Sequence, residues 1–77
     1  MIAASRVVKR SVVIDQHKTS VSLELEFFVE LKRIAHERRI SLTSLVSEID
    51  AGRTAGNLSS ALRIYVLEWV QNESRSH

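Results

Sequence analysis

The sequence has no cysteine and only two glycines among its 77 residues. Without cysteine, disulfide bonds and thiolate metal sites are excluded as sources of stability. Both glycines fall within residues 51–56, a segment without periodicity, and no Gly-rich phosphate-binding loop is present. No apolar run approaches the roughly 20 residues of a membrane-spanning helix, and the first residues lack the order of a signal peptide. We therefore expect a cytosolic protein with no membrane partner.

Residues that could form a catalytic or metal site are present but are not suitably spaced. The histidines, His17, His36 and His77, have no partners at metal-ligand spacing. None of the serines lies in a nucleophile elbow, and no Ser/His/Asp arrangement is indicated. We therefore expect no catalytic residues, no metal and no cofactor.

The apolar content is sufficient for one small domain. At 44% hydrophobic residues, the chain is too apolar to be a disordered tail. A domain of this size buries a smaller share of its surface than a larger one and often relies on oligomerisation. A homodimer is the simplest expectation.

Residues 18–23 alternate between polar and apolar side chains, which is the period of a β-strand with one buried face. The set Thr19, Val21 and Leu23 would face a core. The other set, Lys18, Ser20 and Ser22, would present a cation and two hydroxyl groups to a polar target. Because a lone strand is not stable in water, a partner strand is required.

Positive charge is concentrated before and within this strand. Residues 1–23 contain four basic side chains, those of Arg6, Lys9, Arg10 and Lys18, against Asp15, although the whole chain has a net charge of only +2. This distribution is typical of a segment that faces an anion such as DNA; a solvated basic tail is the alternative. Residues 6–14 either form a strand that makes a hairpin with 18–23 or remain a basic arm that orders on its target.

Helical periodicity follows the strand. Apolar spacings of three, four and seven predict helices over residues 24–38, 42–50 and 57–70, the second capped by Ser41. Residues 71–77 are predicted to be a polar tail without structure. No glycine stands between the first two helices, so a residue forced to positive φ there would cost about 1 kcal/mol. The third helix is apolar on more than one face, which favours packing between two surfaces, one of them a partner subunit's.

The order of a strand, a helix of about four turns, a short break and a serine-capped helix resembles the ribbon-helix-helix DNA-binding family. This family includes the Arc, MetJ and CopG repressors. The resemblance covers residues 18–50 and rests on the strand Lys18-Thr19-Ser20-Val21-Ser22-Leu23-Glu24, on the stripe Phe27, Leu31, Ile34 and Ala35, and on residues 39–46. The third helix and the N-terminal segment extend the minimal domain, as in the longer bacterial variants.

The resemblance implies a mainly α-helical homodimer with a short β-ribbon, in which strand 18–23 pairs antiparallel with its copy from a second chain. The ribbon would enter the major groove of double-stranded DNA, with bases contacted by Lys18, Ser20 and Ser22. The implied dimer core consists of Thr19, Val21, Leu23, Phe27, Leu31, Ile34, Leu45, Val46 and Ile49.

Phosphate contacts are expected at the start of the second helix and along the N-terminal segment. A capped helix N-terminus offers free backbone N–H groups to an anion, here at Ser41, Leu42 and Thr43. The remaining phosphate-contacting residues are expected to be Arg6, Lys9 and Arg10. A second dimer could lie alongside on the DNA, giving a tetramer.

The sequence therefore predicts a sequence-specific DNA-binding transcriptional regulator that acts as a repressor. It would be a bacterial protein located in the cytoplasm and associated with the nucleoid when bound to DNA. Its regions would be an arm or extra strand (1–17), the ribbon-helix-helix core (18–50), a loop with the third helix (51–70) and the tail (71–77). One alternative is an antitoxin that represses its own operon. Another is a dimeric protein-interaction module whose third helix, carrying Tyr65 and Trp69, docks a partner without DNA.

Overall fold

Within the part of the chain that the structure describes, two strands are followed by three helices. The structure is a computed structural model that describes residues 6–14, 16–53 and 56–75. Parts of the predicted arm (1–5), hairpin turn (residue 15), loop (54–55) and tail (76–77) lie outside the described residues. The elements are β1 (Val7–Ile14), β2 (His17–Glu24), α1 (Leu25–Arg38), α2 (Leu42–Gly52) and α3 (Leu58–Arg75).

The strands β1 and β2 form an antiparallel hairpin. The register runs from Val7 opposite Glu24 to Ile14 opposite His17. The structure thus decides between the two expectations for residues 6–14, since Val7–Ile14 form a strand rather than an arm. Valine and isoleucine favour extended backbone, and a connection this short makes the entropy cost of closing the hairpin small.

Within the chain, the strand that pairs with β2 is β1. The pairing of strand 18–23 with its copy from a second chain, which the resemblance implied, stays a prediction. The opposite edge of β2 lies beside α3, where the backbone N–H of Ser22 donates a hydrogen bond of 3.3 Å to Ser59 Oγ.

The hydrophobic core lies between the inner face of the hairpin and the three helices. Seven of the nine residues predicted for the core are buried within this single chain, and the other two, Thr19 and Phe27, are half-buried. The third helix completes this core through Leu58, Leu62 and Val66. Burial of this apolar surface is the main force that holds the hairpin onto the helices.

At the break between α1 and α2, a residue other than glycine adopts a positive φ, as the sequence predicted. Arg39 ends α1 in the left-handed conformation at φ 60° and ψ 40°. The N–H of Ile40 then donates to the carbonyl of Ala35 at 3.0 Å, closing the end of α1. Two residues later Ser41 caps α2, because its Oγ accepts a hydrogen bond of 3.0 Å from the N–H of Ser44.

The prediction that the chain after residue 70 has no structure was wrong for residues 71–75. α3 continues to Arg75. Glu73, in this extension, accepts hydrogen bonds of 3.1 and 2.9 Å from the guanidinium of Arg33 on α1. This contact between helices, which sequence periodicity does not reveal, supports a polar extension of α3.

The described residues contain neither a membrane-spanning helix nor a metal cluster. None of their helices is both long and apolar enough to cross a membrane. In the same residues, no group of three or more His, Asp or Glu side chains is placed to hold a metal ion.

Candidate nucleic-acid interface

The outer face of the hairpin carries the polar residues of β2 together with those of β1. Because side chains alternate between the two faces of a sheet, residues directly opposite each other share a face. On this face the cross-strand pairs are Lys18 with Val13, Ser20 with Ser11, and Ser22 with Lys9. All of these side chains are exposed except that of Ser22, which is half-buried. The face is therefore polar, positively charged and open to solvent.

One end of this face is bordered by α3. Arg63 donates a hydrogen bond of 2.9 Å to Glu24 at the end of β2. This bond lowers the pKa of the Glu24 carboxyl, since the guanidinium stabilises its charged form. This pair and the bond from Ser22 to Ser59 hold α3 against β2. Ser22 is therefore half-buried, whereas Ser20 is exposed.

Arg10 lies on the opposite face of the hairpin from Lys9. Its guanidinium carbon is 5.4 Å from the centre of the Phe28 ring, a cation–π contact. Arg10 also lines a cavity of about 280 Å³ together with Leu42 and Thr43 at the start of α2. Arg10 is thus held beside the N-terminus of α2 rather than on a free arm.

The start of α2 is an exposed, positively polarised helix end. Ser41 and Thr43 are exposed, and Leu42 is half-buried. Ser41 satisfies the N–H of Ser44, whereas the first N–H groups of a helix, those of Leu42 and Thr43, have no acceptor within the helix. With the helix dipole and the guanidinium of Arg10 nearby, this end has the character of an anion site.

Arg6 lies just before β1, at the open end of the hairpin. It is exposed, and its carbonyl accepts a hydrogen bond of 2.9 Å from the N–H of Leu25. The residues predicted to contact phosphates therefore occupy three places. Arg10 joins the start of α2, Arg6 lies at the hairpin base, and Lys9 shares the outer face with the residues predicted to contact bases.

Sequence reasoning missed the separation of Lys9 from Arg10. The signal was present, because Val8, Val12 and Ile14 alternate with exposed positions and place Arg10 on the apolar side of β1. The same alternation places Lys9 and Ser11 on the outer face. Treating residues 6–14 as either a strand or an arm left this pattern unused.

The aromatic residues of α3, Tyr65 and Trp69, are half-buried. The rings of Tyr65 and Trp69 stack with centroids 6.1 Å apart, and both side chains pack against the core. Arg38 donates a hydrogen bond of 3.2 Å to the Tyr65 hydroxyl and also binds Glu48, whose pKa it lowers. The expectation that Tyr65 and Trp69 dock a partner stays a prediction. The exposed large apolar residues of α3 are Ile64 at 56%, Leu67 at 55% and Val70 at 38% exposure.

The chain has a β-ribbon with a basic polar face, followed by a helix, a tight turn and a serine-capped helix. This arrangement is typical of small DNA-binding domains that read DNA with a β-ribbon. The model of the ribbon-helix-helix domain matches residues 7–70, and the chain belongs to this family of DNA-binding, non-enzymatic domains.

One solved structure is similar over most of the chain. It is an uncharacterized protein from Bordetella pertussis Tohama I, with a TM-score of 0.79 and 27% sequence identity. The alignment covers 94% of this chain and 62% of that one, so the present chain spans less than two thirds of its length. No curated protein matches the chain.

Proposed function

We propose that this chain is a sequence-specific DNA-binding transcriptional regulator that acts as a repressor. The observation that carries the proposal is the exposed basic face of the hairpin lying in one domain with the open N-terminus of α2. The first surface suits base edges and the second suits phosphates, the two kinds of contact from which specific DNA binding is built.

The dimensions of the hairpin suit the major groove. Two paired strands lie about 4.8 Å apart, and the major groove of B-DNA is about 12 Å wide. Within the groove, the Lys18 ammonium group would donate to guanine O6 and N7. The hydroxyls of Ser20 and Ser22 would donate to, or accept from, base edges.

The phosphate contacts would come from both sides of the ribbon. Ser41, Leu42 and Thr43 would present backbone N–H groups to one phosphate, with Arg10 adding charge beside them. Arg6 would contact the backbone at the base of the hairpin. Because such contacts release counterions, affinity should depend strongly on salt.

We propose a homodimer, in which two hairpins address two half-sites on double-stranded DNA in the cytoplasm. Ile64 and Leu67 support this assembly, because they form an exposed apolar strip on the side of α3 opposite its buried residues. A second copy that covers this strip would remove it from water. A repressor would then act by occupying its operator.

The experiment is selection of bound sequences from random DNA, followed by gel-shift titration of the selected site. We expect a two-fold-symmetric motif, with log affinity falling by about 0.9 per phosphate contact for each unit of log salt. Lys18→Ala should weaken binding by a factor of about 5 to 150, since a base contact is worth about 1–3 kcal/mol. The melting temperature should be unchanged because Lys18 is exposed. The matched control is Lys32→Ala, an exposed lysine on α1.

Equal affinities for Lys18→Ala and the unchanged chain would contradict the assignment of the outer face to the groove. A protein that selects no sequence, and whose associations do not vary with salt, would instead be an interaction module. In that case its apolar strip on α3 would be the primary binding surface.

A further inference from the structure

We propose that the Arg39 side chain binds a phosphate of the DNA backbone beside the start of α2. The inference rests on the proposed function and adds a residue to its phosphate contacts. Arg39 lies in the turn between α1 and α2, two residues before Ser41, the N-cap of α2. A guanidinium there would join a contact that the backbone N–H groups of Leu42 and Thr43 begin.

The Arg39 guanidinium is free, whereas most arginines of the helical part are engaged. Four of the six arginines after residue 24 bind a carboxylate group: Arg33, Arg38, Arg53 and Arg63. Arg39 is exposed and has no carboxylate partner among the residues that the structure describes. The donors of its guanidinium therefore stay available for phosphate oxygens, which arginine can bind through two parallel hydrogen bonds.

The turn itself does not need this side chain. The backbone N–H of Arg39 donates a hydrogen bond of 3.1 Å to the carbonyl of His36, and that of Ile40 donates one of 3.0 Å to the carbonyl of Ala35. These bonds close the end of α1 with main-chain groups alone. At a φ of 60°, glycine would avoid the steric cost that arginine has here. The guanidinium is therefore left for a contact outside the chain.

The position of Arg39 suits a phosphate held at the start of α2. The Cα atoms of Arg39 and Ser41 are at most about 7 Å apart, because two residues of extended chain span no more. An arginine side chain can span this distance. A phosphate bound to the first N–H groups of α2 would thus lie within reach of Arg39 from the turn and of Arg10 from β1.

The first experiment removes the charge and measures the salt dependence of DNA binding by gel-shift titration. R39Q should weaken binding to the selected site and to random DNA by the same factor, because a phosphate contact carries no sequence information. The slope of log affinity against log salt should fall by about 0.9 per chain. The drop in affinity from about 50 to about 200 mM salt should then become about 3.5-fold smaller for each chain.

Three further variants test whether the effect belongs to this charge at this position. R39K should keep most of the slope, since lysine binds phosphate as a point charge. R39G should lose as much affinity as R39Q although glycine relieves the strained conformation, which separates a lost contact from lost stability. R75Q, the same change at an exposed arginine at the end of α3, should leave the slope unchanged.

The second experiment locates the phosphate. Each phosphate of the selected site is replaced in turn by a neutral methylphosphonate, and each DNA is titrated with the unchanged protein and with R39Q. At the contacted phosphate the two changes should be non-additive, because the methylphosphonate should weaken the unchanged protein more than R39Q. R75Q should show no such coupling. Additive effects at every phosphate would overturn the inference.

The outcomes separate the inference from the function on which it rests. If R39Q lowered the melting temperature but left the salt slope unchanged, Arg39 would stabilise the end of α1 through the helix dipole, and the inference would be wrong. Loss of binding to the selected site alone would make Arg39 a base contact and would also overturn it. In both cases the DNA-binding function would stand. If the unchanged protein bound DNA at no salt concentration, the function and the inference would both be overturned.

Discussion

At the scale of single residues, Arg39 shows how the fold accepts a local cost. Its φ of 60° closes α1 and lets the chain turn into α2. For an L-residue this conformation costs steric energy of the order of 1–3 kcal/mol, whereas glycine loses about 0.5–1 kcal/mol through entropy. The hydrogen bond from Ile40 to Ala35 and the burial of both helices keep the turn in place.

We predict that Arg39→Gly stabilises the protein by about 1 kcal/mol, the difference between these two costs. The measurement is urea unfolding at one fixed protein concentration. Lys32→Gly is the control, because it places glycine at an exposed position inside α1 and should destabilise by about 1 kcal/mol. Equal destabilisation by both substitutions would show that Arg39 is not strained.

At the scale of elements, the start of α2 combines a structural role with the proposed phosphate site. The Ser41 cap satisfies one N–H of the first turn and leaves the N–H groups of Leu42 and Thr43 for a ligand. α3 begins in a similar way, since Asn57 Oδ1 accepts a hydrogen bond of 2.8 Å from the N–H of Ser60. Substitutions at these two helix starts can therefore distinguish the effect of capping on stability from an effect on anion binding.

We predict that Ser41→Asp leaves the melting temperature nearly unchanged but weakens DNA binding. Aspartate caps a helix as well as serine does, and its charge favours the helix N-terminus. The same charge would repel a phosphate, so the salt slope should fall by about one contact. Gel-shift titration at several salt concentrations and thermal melting would measure both effects.

Asn57→Asp is the control for that experiment, because it adds the same charge at the other capped helix start. It should alter neither quantity appreciably. Equal loss of affinity in the two variants would mean that net charge, rather than a phosphate at α2, explains the effect.

At the scale of the whole molecule, the single chain already has a core but leaves an apolar strip uncovered. Val21, Leu31, Leu45 and Leu62 are at most 1% exposed without any partner. Ile64 and Leu67, by contrast, are more than half exposed on α3. Dimerisation through this strip would cover apolar area that the fold of one chain leaves in water.

We predict that Leu67→Ser weakens self-association while preserving the fold, because it removes apolar area from the strip and no buried side chain. Sedimentation velocity over a range of concentrations would measure association, and far-UV circular dichroism would check folding. Gln71→Ser, one turn further along the same side of α3, should remain associated. Should the unchanged chain sediment as a monomer at every concentration, the dimer itself would be refuted.

The sequence alone determined the elements and most of their faces. Alternation specified the inner and outer sides of β2, apolar spacing specified α1 and α2, and Ser41 marked the start of α2. These features depend on neighbours within a few residues, and local patterns record them. The family could be inferred for the same reason, since its pattern is a sequence of local elements.

The tertiary structure decided which segments meet. It paired β1 with β2 in a hairpin, and it placed Arg10 over Phe28 but Lys9 on the outer face. It also extended α3 to Arg75, through the contact between Glu73 and Arg33. These outcomes depend on competition between distant contacts and chain entropy, which no local pattern encodes.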